Sequence, residues 1–109
     1  MVYQVEITAY AEKRVGEIFD YLMYYVGGYG NPGAASRFAN DYGDALQRLA
    51  NSAHAYVLCE DAELASMGER KIHFRKLDYK LFFHIDNDTV IIDLICHDSQ
   101  DYLAQFHLQ

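Results

Sequence analysis

Apolar and polar residues change period along this chain, and the changes mark out its elements. Val2 to Thr8 alternates, with Tyr3, Val5 and Ile7 against Gln4 and Glu6, which reads as a short strand. From Ala9 the period lengthens: Val15, Ile18, Phe19, Leu22 and Val26 form one apolar stripe at helical spacing. Gly27-Gly28 ends this helix, because glycine readily takes the left-handed cap conformation. Asn31-Pro32 opens a second helix, with Asn as cap and Pro at the first helical position. Its stripe is Ala35, Phe38, Tyr42, Ala45, Leu46 and Leu49. The short connection implies an antiparallel helical hairpin. Ser52 to Glu69 is poorly patterned and acidic, with Glu60, Asp61 and Glu63, and reads as a loop or a short extra turn. Three strands follow: Arg70 to Lys76, Tyr79 to Ile85 and Thr89 to Cys96. Leu77-Asp78 and Asn87-Asp88 read as two-residue hairpin loops. A terminal helix runs from about Ser99 to Phe106. The order β-α-α-β-β-β-α is an α+β plan in a single domain spanning residues 1–109. It has an antiparallel meander sheet packed on an N-terminal helical hairpin, with a C-terminal helix.

Two-residue loops fix strand pairing, so the faces of the sheet follow. Ile85 falls opposite Val90, Phe83 opposite Ile92, Leu81 opposite Leu94, and Tyr79 opposite Cys96. Phe74 falls opposite Leu81 and Ile72 opposite Phe83. This face is wholly apolar or aromatic and is expected to pack on the hairpin. The other face pairs Arg75 with Lys80, His73 with Phe82, and Lys71 with His84, with Asp93 beside Phe82. His97 falls near Asp78 at the end of the sheet.

Charge sharpens this picture. The eleven residues from Arg70 to Lys80 hold five of the nine Lys and Arg residues and one acid, Asp78, so they carry about +4 in a chain of net charge −7. Focused positive potential in an acidic protein points to a polyanionic ligand. Lysines that blunt a sheet edge are the plainer explanation. The basic groups Lys71, Arg75 and Lys80 suit phosphates, Phe82 suits a base, and His73 and His84 suit proton transfer, as RNA recognition or cleavage requires. A polar face is also the ordinary wet side of an antiparallel sheet. The like-charge Lys80–Arg75 pair costs stability, which favours a functional reason for it.

Other classes are set aside. About half the chain is apolar, enough to bury a core without staples. No stretch approaches the ~20 apolar residues of a membrane span. MVYQVEITAY lacks the basic and apolar regions of a signal peptide, so a cytoplasmic protein is expected. Cys59 and Cys96 lie far apart with no CxxC and read as reduced thiols. None of the five histidines has zinc-finger or HExxH spacing, so neither a metal nor a cofactor is expected. Tyr24, Tyr25 and Tyr29 near the end of the first helix read as a contact surface or as cover for the edge of the core.

Two segments carry a family likeness. NPGAASRFANDYGDALQRL resembles the helix pattern NPxAAxRF…L…AI…L of the RelE/ParE superfamily, the toxins of bacterial type II toxin–antitoxin systems. RKIHFRKLDYKLFFHIDNDTVIIDLICHDSQDY resembles that family's meander, RxLRxGDYRLxYxIDDDxVxIxxIxHxRxD. The resemblance implies a RelE/ParE-like fold. It also implies a toxin that either cleaves ribosome-bound mRNA, the reading that the retained positive face favours, or inhibits DNA gyrase. A cognate antitoxin would neutralise it, and the toxin is expected as a homodimer or as a heterotetramer with the antitoxin. In a metal-free ribonuclease of this kind Arg75 would contact the scissile phosphate. Lys80 would take the place of a second basic residue, and His97 or Tyr102 would handle protons. Lys71, His73, Phe82 and His84 would bind RNA. The chain departs from the pattern after His97, where Asp98-Ser99-Gln100-Asp101 replaces the usual basic residues, and in the acidic 60–63 region. Its pI near 5 also differs from strongly basic ribosome-directed members. These departures leave room for gyrase inhibition, or for a homologue that only binds antitoxin.

Overall fold

Each helix starts where a short polar side chain caps it. The computed structural model describes residues 2–74 and 76–107. Thr8 accepts a hydrogen bond from the Ala11 backbone N–H at 3.1 Å and starts helix α1 (Ala9–Asp20). Asn31 accepts from Ala34 N–H at 3.1 Å and starts α2 (Pro32–Ser52), with Pro32 at the first position. Asp61 does the same for a short helix α3 (Ala62–Ser66), which answers the ambiguous acidic segment with a helical turn. Asp101 accepts from Ala104 N–H ahead of α4 (Tyr102–His107), so the last helix begins three residues later than its sequence pattern suggests.

The α1 ladder stops at Asp20, before the glycines. A π-helical turn (Tyr21–Tyr25) follows, in which Val26 N–H reaches the Tyr21 carbonyl. This wider turn keeps Leu22 buried while Tyr21, Tyr24 and Tyr25 stand exposed. Gly27 then turns the chain at φ 67°. Gly30, at φ 84°, sits so close to the preceding turn that a Cβ would lie 2.1 Å from the Met23 carbonyl oxygen.

Four strands form one sheet in the order β1 (Gln4–Ile7), β4 (Thr89–His97), β3 (Tyr79–Asp86), β2 (Arg70–Phe74). Strand β1 runs parallel to β4, pairing Val5 with Val90 and Ile7 with Ile92. The Asn87-Asp88 turn is a two-residue loop as expected, with Asn87 left-handed and Asp86 opposite Thr89. The β2–β3 connection is longer. Phe74 pairs with Tyr79 and Ile72 with Leu81, so residues 76–78 lie in the turn and the register differs by two from the expected pairing. A shift of two preserves the facing of every side chain. Ile72, Phe74, Tyr79, Leu81 and Phe83 therefore still face the hairpin, as expected.

A β-bulge has larger consequences. Phe83 pairs with Ile92 but Phe82 pairs with Leu94, leaving Asp93 as the extra residue. Beyond it β4 is turned over. Ile95 joins the core against the helices, whereas Leu94 and Cys96 move to the opposite face. That face is not open, contrary to the alternation of its residues. Phe82, Leu94, Cys96, Cys59 and Leu64 form a second buried cluster, covered in part by Tyr102, Leu103 and Phe106. Both sides of the sheet thus carry apolar cores. Among the described residues, no helix is long and apolar enough to cross a membrane.

Candidate functional site

The β2–β3 hairpin brings part of the expected basic surface together and disperses the rest. His73 pairs with Lys80 and not, as its expected register had it, with Phe82. Arg75 itself lies outside the described residues. Asp98 stands between the other two groups: its Oδ2 is 2.9 Å from His73 Nε2, and its Oδ1 is 3.7 Å from Lys80 Nζ. The position of Asp98 is set by its backbone N–H, which donates to the Asp78 carbonyl at 2.8 Å. Lys80 Nζ also lies 5.6 Å from the centre of the Tyr102 ring. His73, Lys80, Asp98 and Tyr102 thus form one constellation, partly neutralised by its own carboxylate.

Phe82 cannot offer a stacking platform in this arrangement. It is 1 % exposed, with the Tyr102 and Phe106 rings at centroid distances of 5.2 and 5.5 Å. Its alternation pattern suggested solvent; the C-terminal helix covers it instead. Lys71 is exposed and lines a groove of about 410 Å³ between β2 and α2, with Asp41, Asp44 and Arg48 on the helix side.

His97 lies on the opposite face from Tyr102. Its ring meets Tyr79 edge-on at 5.2 Å, and Tyr79 belongs to the core under the helical hairpin. Ser99 N–H donates to His97 Nδ1 at 3.1 Å, which leaves Nε2 as the protonated nitrogen of the neutral ring. Gln100 Oε1 accepts from the His97 backbone N–H at 2.9 Å and from Arg14 at 3.2 Å. His97 lines a cleft of about 590 Å³ with Arg14, Tyr21, Leu22 and Tyr79. The sheet separates this cleft from Tyr102 and Lys80.

His84 belongs to a third group. Its Nδ1 lies 2.5 Å from Asp93 Oδ2 and 3.4 Å from Glu69 Oε2. The expected register placed Asp93 beside Phe82, but the bulge places its carboxylate against His84. Burial, followed by the neighbouring Asp93 carboxylate, pushes the Glu69 carboxyl up to about 9. Sequence reasoning did not single out Glu69, which precedes β2 with no periodicity of its own. Asp93 did carry a signal, being a charge inside the apolar run Ile91-Ile92-Asp93-Leu94-Ile95. Burial also raises both thiols, Cys59 and Cys96, the latter to about 11.

Comparison with known proteins adds the following. A family model described as the ParE toxin of the type II toxin–antitoxin system parDE matches residues 5–102. No curated protein matches the sequence. Among solved structures, the chain is similar to the chromosomal ParDE toxin–antitoxin system of P. aeruginosa. That match has 16 % identity and a TM-score of 0.66, covering 88 % of this chain and 96 % of that one. It is also similar to a free E. coli RelE toxin variant, with 13 % identity and a TM-score of 0.62, covering 96 % and 93 % of the two chains. A RelE variant in complex with an antitoxin RelBc peptide matches at 12 % identity with a TM-score of 0.51, covering 100 % and 96 %. At these identities the structural likeness concerns the fold.

Proposed function

The chain belongs to the ParE toxin family of type II toxin–antitoxin systems, and from that premise we propose that it poisons its target by binding a protein, DNA gyrase, rather than by cutting RNA. The observation that carries this reading is the position of Asp98. It pairs with both His73 and Lys80, where an RNA-cleaving relative would need free positive charge. Nucleic-acid affinity comes largely from cations that neutralise phosphates, and a cation already paired with a carboxylate contributes less. The division of the candidate proton-transfer groups points the same way. His97 lies on the opposite face of the sheet from Lys80 and Tyr102, so these three candidate catalytic groups do not converge on one phosphate. A cognate antitoxin, as in the ParDE and RelE–RelB assemblies to which the fold is similar, is the proposed neutralising partner.

Pulse-labelling after induced expression tests the reading. Thymidine incorporation should fall before methionine incorporation, and the purified chain should inhibit supercoiling by purified gyrase. An earlier fall in methionine incorporation, with cleavage of ribosome-bound mRNA seen by primer extension, would establish the ribonuclease alternative.

A further inference from the structure

The proposed function assigns no role to the group around His84. We propose that Glu69, His84 and Asp93 form a binding site for a single divalent transition-metal ion of the zinc class. The three supply one imidazole nitrogen and two carboxylate oxygens, all within 4.8 Å of one another. Zinc ligands at ~2.0–2.1 Å lie about 3.3 Å apart around a tetrahedron. Glu69 Oε2 and His84 Nδ1, at 3.4 Å, already have that spacing. The His84–Asp93 pair, at 2.5 Å, has to open by slightly less than 1 Å, within the reach of a side-chain rotation. Three protein ligands leave a fourth position for water.

The surroundings argue for a cation. Glu69 is the one buried charged residue among the described residues, at 2 % exposure, and its Oε1 is buried with no hydrogen-bond partner. Burial keeps this carboxyl protonated, and a bound cation would supply the charge that lets it ionise and act as a ligand. Among the described residues, His84 is the sole ion-pair partner of either carboxylate, so two acids face one imidazole. The ligands are also held in place. Glu69 is fixed through its backbone, which donates to Leu64 O and accepts from Cys59 N–H, both at 2.9 Å. Asp93 is the extra residue of the bulge, a device that re-aims a side chain. His84 sits in mid-strand and its side chain is 31 % exposed, which opens an entry path from solvent. An imidazole in the set disfavours Mg²⁺ and Ca²⁺, which take oxygen ligands. The ligands come from the residue just before β2 and from strands β3 and β4, so no short motif announces them. A second trio, His73, Asp78 and Asp98, offers the same donors but is exposed throughout and shares Asp98 with Lys80. It serves as the internal control.

The test is a titration of the untagged, chelator-treated chain with Zn²⁺ by calorimetry, and with Co²⁺ by visible absorption. One equivalent should bind with a Kd below about 10 µM. E69Q and H84Q should each weaken it by about tenfold or more, and D98N should leave it unchanged. Circular dichroism checks the fold of each variant. E69Q keeps the shape of the buried side chain and removes only its ability to ionise and ligate, so it is the variant expected to fold in any event. Binding weaker than about 100 µM, full affinity in a folded E69Q or H84Q, or loss of affinity in D98N would each overturn the proposal.

Discussion

Replacing Phe82 by Ala tests whether the sheet carries a second core or an open surface. The ring is 1 % exposed and packs among Leu64, Leu94 and Cys96. Two further rings close over it, Tyr102 tilted at 33° and Phe106 edge-on at 86°. Truncating a buried Phe to Ala costs about 3–5 kcal/mol, the sum of lost transfer energy and the cavity left behind. The aromatic pairs add about 0.5–1.5 kcal/mol each beyond their buried area, and both disappear with the ring. The site collapses poorly, because β3 and β4 are held on both sides by sheet pairing. The upper half of the range, about 4–5 kcal/mol, is therefore expected. A chain of this size is stable by about 5–15 kcal/mol, so about a quarter or more of its stability is at stake. Urea unfolding followed by circular dichroism measures the loss as a shift in midpoint at constant slope. A residue on a wet face would cost less than about 0.5 kcal/mol. A measured loss below about 1 kcal/mol would refute the second core and return Phe82 to the surface as a candidate base-stacking group.

Three further outcomes are expected. Asp98→Asn should free His73 and Lys80, tighten binding to single-stranded RNA and steepen its salt dependence by about 0.7 in the log–log slope for one added phosphate contact. An unchanged slope in filter binding would show that Asp98 does not mask that face. Gly30→Ala should destabilise by about 1–3 kcal/mol in thermal melts, since the new Cβ meets the Met23 carbonyl at 2.1 Å and the backbone stands at φ 84°. Equal melting temperatures would contradict the close approach. Cys96, its thiol pushed up to about 11 by burial, should react with iodoacetamide at pH 8 at least about a hundredfold more slowly in the folded chain than in urea. The sign follows from linkage: the folded thiol holds its proton above the unfolded value. This contribution to stability is complete below about pH 9 and is lost as pH rises toward 11. Stability unchanged between pH 8 and 10.5 would contradict the burial.

The helical hairpin and the two-residue turn at Asn87-Asp88 were legible because local signals carry them. A cap, a glycine and a stripe of period 3.6 depend on neighbours a few residues away. The position of β1 was not legible. Its parallel pairing with β4 joins residues more than eighty apart, and alternation in Val2 to Thr8 says only that one face is buried. The β2–β3 register was half legible, since a longer turn moved the pairing by two and left every face where it belonged. The covering of the second face was hidden for a different reason. Lys71, His73, Lys80 and His84 alternate as a wet surface does, and Phe82 among them read as a functional exception. The few apolar residues of α3 and α4 bury it from elements too short to show a period.

One residue accounts for most of what alternation missed. Asp93 interrupts an apolar strand, and a regular ladder would have placed it with Phe83 or Phe82 at no gain. As a bulge it costs β4 one pairing position and turns the rest of the strand over. That rotation carries Leu94 and Cys96 under the C-terminal helix, which builds the second core and removes Phe82 from solvent. It carries His97 to the hairpin face, away from Lys80 and Tyr102, which divides the candidate catalytic groups. It also leaves the Asp93 carboxylate beside His84 and Glu69. The same irregularity thus weakens the catalytic reading on one part of the sheet and assembles the metal-ligating group on another. Deleting Asp93 would join Ile92 to Leu94 and keep the Phe83–Ile92 and Phe82–Leu94 pairs, so it should abolish Zn²⁺ binding in the calorimetric titration while leaving the second core in place.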